Sequence, residues 1–237
     1  MDRQSAMRVL IVVTECESCQ HVCVSRPSTR PYHHGNLKAA LVGAAVARAR
    51  VDGPAGLALR DIAADVGVAP SAAYRHVRDL DHLVALVAQA AREELAREMR
   101  IAIDLVADTG DAQADALARL QACGRGYVSF AKDTPMLFRT AFLHSGQLPE
   151  RDDDPNAEGE LRKCLDDLVT AGLLRPEHQR GAATIAWSAV HGLGSLMADR
   201  AMGVSFALSA SDAIETVLDS VVRSVTTIGT PPGRDDL

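Results

Sequence analysis

Between residues 67 and 84 the chain reads GVAPSAAYRHVRDLDHLV. Ser71, Tyr74, Arg75, His76 and Arg78 gather here within about two helical turns. Hydroxyl, imidazole and guanidinium groups at that spacing are suited to reaching phosphate oxygens. The small residues Ser71, Ala72 and Ala73 ahead of them would let a helix come close to base edges, and a helix N-terminus favours a phosphate. A second chemical group is Cys16, Cys19, His21 and Cys23, a Cys-x2-Cys-x-His-x-Cys run whose donors could hold Zn²⁺ or act in thiol redox chemistry. A third is Trp187 with His191, four residues apart and so on one helix face. Enzyme signatures are missing. There is no Gly-rich loop ending in Lys-Ser or Lys-Thr, no His-Glu-x-x-His, no Gly-x-Ser-x-Gly and no Glu-x-x-His. Neither catalysis nor a cofactor is expected.

A helix as short as the one carrying Tyr74 cannot stand alone in water, so other elements must hold it. Apolar spacing predicts a helix from Asn36, a candidate N-cap, to Gly53, with Leu37, Leu41, Ala44, Ala45 and Val46 near one face. A shorter helix follows over 57–67, placing Leu59, Ile62, Ala63 and Val66 inward and ending at Gly67. A third opens at Pro70, where a missing N–H costs nothing, and runs to about Val77. The second and third make a helix-turn-helix, locked by Ile62, Ala63, Val66, Val68 and Ala72. Ser71, Ala73, Tyr74, Arg75, His76 and Arg78 are left on or near the open face. Asp79 or Asp81 starts a long helix over about 81–107. Further helices are predicted at about 112–131, 135–143, 158–172, 178–202 and 210–227, with one long loop at 144–159. The expected class is all-α: an N-terminal three-helix bundle containing the helix-turn-helix, then a helical domain for ligand binding and dimerisation.

Composition agrees. Apolar residues make up 47% of the 237 and aromatics only 3%, which favours helices packed on small side chains over sheets. The net charge is −6. It is uneven, because residues 26–82 hold eight Lys or Arg against five acids, a net of +3, leaving −9 for the remainder. A basic front on an acidic body points that front toward nucleic acid. Five cysteines, an odd number with Cys123 and Cys164 isolated, argue against a disulfide framework. No apolar run approaches a membrane span, and a cytoplasmic protein without membrane contact is expected.

The stretch LALRDIAADVGVAPSAAYRHVRDLDHLVALVA resembles the helix-turn-helix and the start of the fourth helix of TetR-family transcriptional regulators. YHHGNLKAALVGAAVARARVDGPAGLAL is similar to the first helix of one branch of that family. AWSAVHGLGSL at 186–196 resembles the Trp-His-Gly signature in the C-terminal domain of the same branch. The resemblance covers about residues 31–227 and implies a nine-helix homodimer that binds a palindromic operator in double-stranded DNA. It implies a DNA-binding domain at 31–80 and an effector-binding and dimerisation domain at 81–228; outside it, residues 1–30, whose period fits no helix, and 229–237 are expected to be disordered tails. By position it implies that Arg60 touches phosphate, that Ser71, Ala72 and Ala73 face bases, and that Tyr74 and His76 clamp the DNA backbone. The chain departs from the family pattern at Leu57 and Ala58, where Ser or Thr usually caps the second helix, and at Leu80, where Lys is usual. The lost cap is worth about 1 kcal/mol.

Within the expected effector domain, Tyr127, Phe130, Phe138, Phe142, Leu165, Trp187 and His191 are the candidates to line a pocket for an unidentified small molecule. The two C-terminal helices are the expected dimer seam, with Gly192, Gly194 and Ala198 allowing close approach. A repressor released when ligand tilts the fourth helix is the resulting expectation. Two alternatives stand beside it: a metal- or redox-responsive regulator working through Cys16, Cys19, His21 and Cys23, and a helical interaction module that does not bind DNA.

Overall fold

A computed structural model describes residues 37–143, 156–199 and 209–228. Among these the secondary structure is entirely helical. Helix α1 (Leu37–Asp52) is followed by α2 (Leu59–Val66), α3 (Pro70–Ala73) and α4 (Leu80–Asp104). Next come α5 (Ala112–Asp133), α6 (Pro135–Ala141), α7 (Ala157–Thr170), α8 (Gln179–Ala198) and α9 (Ala210–Ile228). The described residues all belong to one compact unit. The cysteine-rich stretch, the Asn36 cap, most of the 144–159 loop and the two expected tails lie outside the described residues.

The helix ends follow local chemistry. Gly67 closes α2 at φ 76°, a left-handed conformation that costs glycine little. Its N–H donates to Ala64 and the Val68 N–H donates to Ala63, so two orphan carbonyls are satisfied and the chain turns sharply. Pro70 then starts α3. Asp79, not Asp81, caps α4 by accepting from the His82 N–H at 2.7 Å. His82 Nδ1 accepts in return from the Arg78 N–H at 3.2 Å, so the two side chains cap the entry reciprocally. Asp111 caps α5 and Asn156 caps α7 in the same way. Ala58 precedes α2 with no side-chain cap bond, as its residue type dictates.

Buried apolar side chains run as one cluster from Leu37 on α1 to Val225 on α9. Helix α5 is its axis, packing on α4, α6, α7, α8 and α9. Two glycines set how near α5 comes to its neighbours. A Cβ on Gly126 would lie 2.7 Å from Met99 Cα, and one on Gly124 would lie 2.3 Å from Leu218 Cδ2. Gly194 of α8 is likewise spoken for inside the chain, its Cβ direction facing Ala131 and Tyr127 at 3.3 Å. Ala198 is buried too. These two therefore serve packing within the subunit rather than the seam expected of them, whereas Gly192 faces open space.

Helix α6 is short and sits where several elements meet: it packs on α1, α4, α5, α8 and the turn Gly53–Gly56. Gly53 has φ 66°, and a Cβ there would stand 2.8 Å from Met136 Cε. Arg92 of α4 donates to the Ala141 carbonyl at the end of α6. Arg139 donates to the Ala198 carbonyl at the end of α8 and pairs with Asp199.

Candidate nucleic-acid interface and ligand cavity

Helices α1 and α2 brace α3. Arg48 of α1 forms a two-pronged pair with Asp65 of α2 at 2.5 and 3.0 Å, and that guanidinium holds the Asp65 carboxyl below its ordinary value. Arg50 pairs with Glu94 of α4 at 2.6 Å. Two of the front's cations are thus neutralised by its own scaffold. Arg60, Arg75 and Arg78 are exposed and form no ion pair among the described residues.

Helix α3 is a single turn continued by bonds from the Arg75 N–H to Ala72 and from the His76 N–H to Ala73. Ser71, Tyr74, Arg75 and Arg78 are exposed, at the i, i+3, i+4 and i+7 spacing of one helical face. Ala72 and His76 are half-buried. Ala73 departs from its expected place on the open face. It is fully buried with Val77, one turn on, because the brief helix must turn one side wholly into the bundle. The open edge is therefore Ser71, Tyr74, Arg75 and Arg78, with Arg60 in the first turn of α2.

His82, behind this edge, has its imidazole held below the usual value by burial and by the charges of Arg78 and Lys38. The neutral ring is the form that can accept from the Arg78 N–H.

The second feature lies in the body. Tyr127 of α5 is 2% exposed, and its hydroxyl meets His191 Nδ1 of α8 at 2.6 Å. Trp187 stacks on His191 with ring centres 6.1 Å apart and planes within 6°. Phe138 and Phe142 close edge-on to one another at 5.2 Å, and Phe142 meets the imidazole at 4.8 Å. Burial pushes the Tyr127 phenol up and the His191 imidazole down, so both are neutral at pH 7.

Tyr127, Trp187 and His191 line a slot between α5, α8 and α9, completed by Met99 of α4 and Leu161 of α7. It is narrow, with a cavity volume of only about 30 Å³. A second recess of about 190 Å³ lies beyond His191, between α6 and α8, against Phe138, Phe142 and Arg139. Five of the seven candidate lining residues thus stand at a cavity wall. Phe130 and Leu165 line neither cavity and are buried in the core at 4% and 1% exposure. On α7 it is Leu161, one turn earlier than Leu165, that reaches the slot.

Sequence reasoning also passed over Gly124, which lines the slot opposite Leu218. The signal was present as the Gly-Arg-Gly run at 124–126, since glycine inside a helix is costly unless a neighbour needs the space. Cys123 and Cys164, isolated in sequence, meet across α5 and α7. The Cys123 thiol is held well up by its contact with Cys164 and by burial, which keeps it protonated. Among the described residues no group of three or more His, Cys, Asp or Glu is placed to hold a metal ion. No helix among them is long and apolar enough to cross a membrane.

The family model described as "Tetracyclin repressor-like, C-terminal domain" matches residues 120–221, the span that contains the Tyr127–His191 contact. No curated protein matches the chain. Among solved structures, a Rhodococcus protein of unknown function superposes with a TM-score of 0.67 at 23% identity, covering 84% of this chain and 100% of its own. A TetR transcriptional regulator from Streptomyces coelicolor superposes with a TM-score of 0.57 at 18% identity, covering 81% of this chain and 98% of its own. Residues 120–221 thus carry a tetracyclin repressor-like C-terminal domain, and the described helices share the fold of these solved structures.

Proposed function

We propose that the protein is a sequence-specific DNA-binding transcriptional regulator, a homodimeric repressor released by a small molecule. The observation that carries this reading is the open edge of Ser71, Tyr74, Arg75 and Arg78 with Arg60, whose guanidinium groups have no partner among the described residues. An α-helix fits the major groove, and unpaired cations on its flanks gain most from phosphate. Residues 31–80 serve as the reading head and 81–228 as the effector and dimer domain. Ser71 and Ala72 stand where base edges are read; Tyr74, Arg75, His76, Arg78 and Arg60 stand where the DNA backbone is clamped. With so little hydrogen-bonding capacity in Ser71 and Ala72, affinity leans on phosphates and DNA shape and is strongly salt-dependent.

The partner is a second copy. The outer faces of α8 and α9 carry a shallow apolar groove formed by Ile185, Ala189, Val217 and Val221, the surface on which two copies would build a four-helix seam. A twofold dimer then presents its heads to successive major grooves, about 34–36 Å apart. Ligand in the Tyr127–Trp187–His191 slot shifts the population toward a state in which α4 is tilted and that spacing is lost.

Selection of bound duplexes from a random pool, with sedimentation of the free protein, tests the reading. The expected result is a palindromic consensus bound by a dimer. A monomer that enriches no sequence at low salt refutes it.

A further inference from the structure

We propose that the slot between α5, α8 and α9 takes a neutral, mainly hydrocarbon ligand with a single oxygen (a ketone or alcohol) anchored at the Tyr127 hydroxyl, and that it rejects carboxylates and ammonium ions. This rests on the effector reading above and assigns the chemistry of its ligand.

The wall is hydrocarbon almost throughout: Met99, Leu120, Leu161, Val190, Leu218 and Val221 supply it. No Asp, Glu, Lys or Arg lines the slot. The charges nearby are committed to one another. Arg125 is held by both carboxylate oxygens of Glu215, at 2.9 and 2.6 Å, and Glu160 takes Arg100 and Lys163. An ionised headgroup entering the slot would shed its water and meet no counter-charge. Gln121, a polar residue on the wall, already donates to Asp219 at 2.9 Å.

That leaves Tyr127. Its hydroxyl and His191 Nδ1 lie 2.6 Å apart and share one proton between them. A hydroxyl both donates and accepts, so one capacity is left for a guest in either tautomer of the imidazole. When Nδ1–H donates to the phenol oxygen, the phenol proton is free for a ligand carbonyl. When the phenol donates to Nδ1, its remaining lone pair is free for a ligand hydroxyl. One neutral oxygen is matched either way. At about 30 Å³ the slot must widen to admit a tail, and a thin tail asks less of it than a branched one.

The chain has a single tryptophan, Trp187, and it lines the slot against His191, so its emission reports occupancy directly. The full-length protein is titrated at pH 8 with 2-decanone, decanoate and decyltrimethylammonium. Saturable change with the ketone is expected, with both ions weaker by roughly fiftyfold or more, a few hydrogen bonds' worth of discrimination. Tyr127→Phe keeps the ring and should weaken 2-decanone roughly fivefold to tenfold, the loss of one hydrogen bond. Decanoate or the ammonium binding within threefold of the ketone overturns the assignment, as does a ketone that gives no saturable change. A folded Tyr127→Phe protein with unaltered ketone affinity overturns it as well. Should that variant not fold, the three headgroups on the wild-type protein decide alone. Operator binding is followed separately by fluorescence anisotropy of labelled DNA. Tight ketone binding with operator occupancy unchanged refutes the release mechanism and leaves the ligand assignment standing.

Discussion

Replacing Gly126 with alanine and Gly43 with alanine makes one chemical change in two surroundings, and the outcomes should have opposite signs. Both glycines lie inside helices, where alanine is favoured by about 1 kcal/mol. At Gly43 on α1 nothing lies within 4 Å of the added carbon, so that gain is realised in full. At Gly126 the new Cβ falls 2.7 Å from Met99 Cα and 3.0 Å from the Glu98 carbonyl oxygen. Carbon atoms rest at about 3.5–4.0 Å, and both obstacles are backbone atoms that no rotamer change can move. Helices α4 and α5 must part by roughly 1 Å, an overpacking that costs about 1–3 kcal/mol. The net loss is about 1 kcal/mol, and the two variants should differ by about 2 kcal/mol. For a chain of this length each kcal/mol shifts Tm by about 2–4 °C. Thermal unfolding by circular dichroism at fixed protein concentration measures it. Gly126→Ala melting at or above wild type would refute the close approach of α4 and α5.

Asp79→Ala removes the cap on α4 and should lower stability by about 1 kcal/mol in urea unfolding, with the m-value unchanged. Arg75→Ala and Arg78→Ala should each weaken operator binding across sequences and reduce the slope of log K against log salt by roughly one, read by anisotropy titrations at several salt concentrations. Burial holds the His191 pKa below 6.5, so the unfolded chain takes up a proton more readily than the folded one. Its contribution is complete above pH 6.5 and is lost as the pH falls through the window beneath. A plot of Tm against pH should be flatter there for His191→Gln than for wild type, the remaining slope including His82, whose shift has the same direction.

Much of the scaffold could be read from residue types because its boundaries are chemical. Gly67, Pro70 and Asp79 each mark an end through a backbone requirement that few residues meet. Trp187 and His191 were legible as a pair because four residues on a helix return to one face. Ala73 was not legible, since in a single turn of small residues the buried side is chosen by the bundle, and alanine carries no preference. Phe130 and Leu165 differ from Tyr127 and Leu161 only in which neighbour their face meets, and periodicity gives direction without naming the neighbour. The Gly-Arg-Gly run at 124–126 signals a close approach, but which neighbours Gly124, Gly126 and Gly194 meet across the fold is encoded in no local pattern.

With only seven residues, α6 has no interior in which to bend. One of its side chains, Phe138, leans on the imidazole of His191, while Met136 abuts a turn whose glycine leaves no slack. Through α6, which packs on α1, α4 and α8, the rings at its far edge stand in direct contact continuity with the first helix of the front.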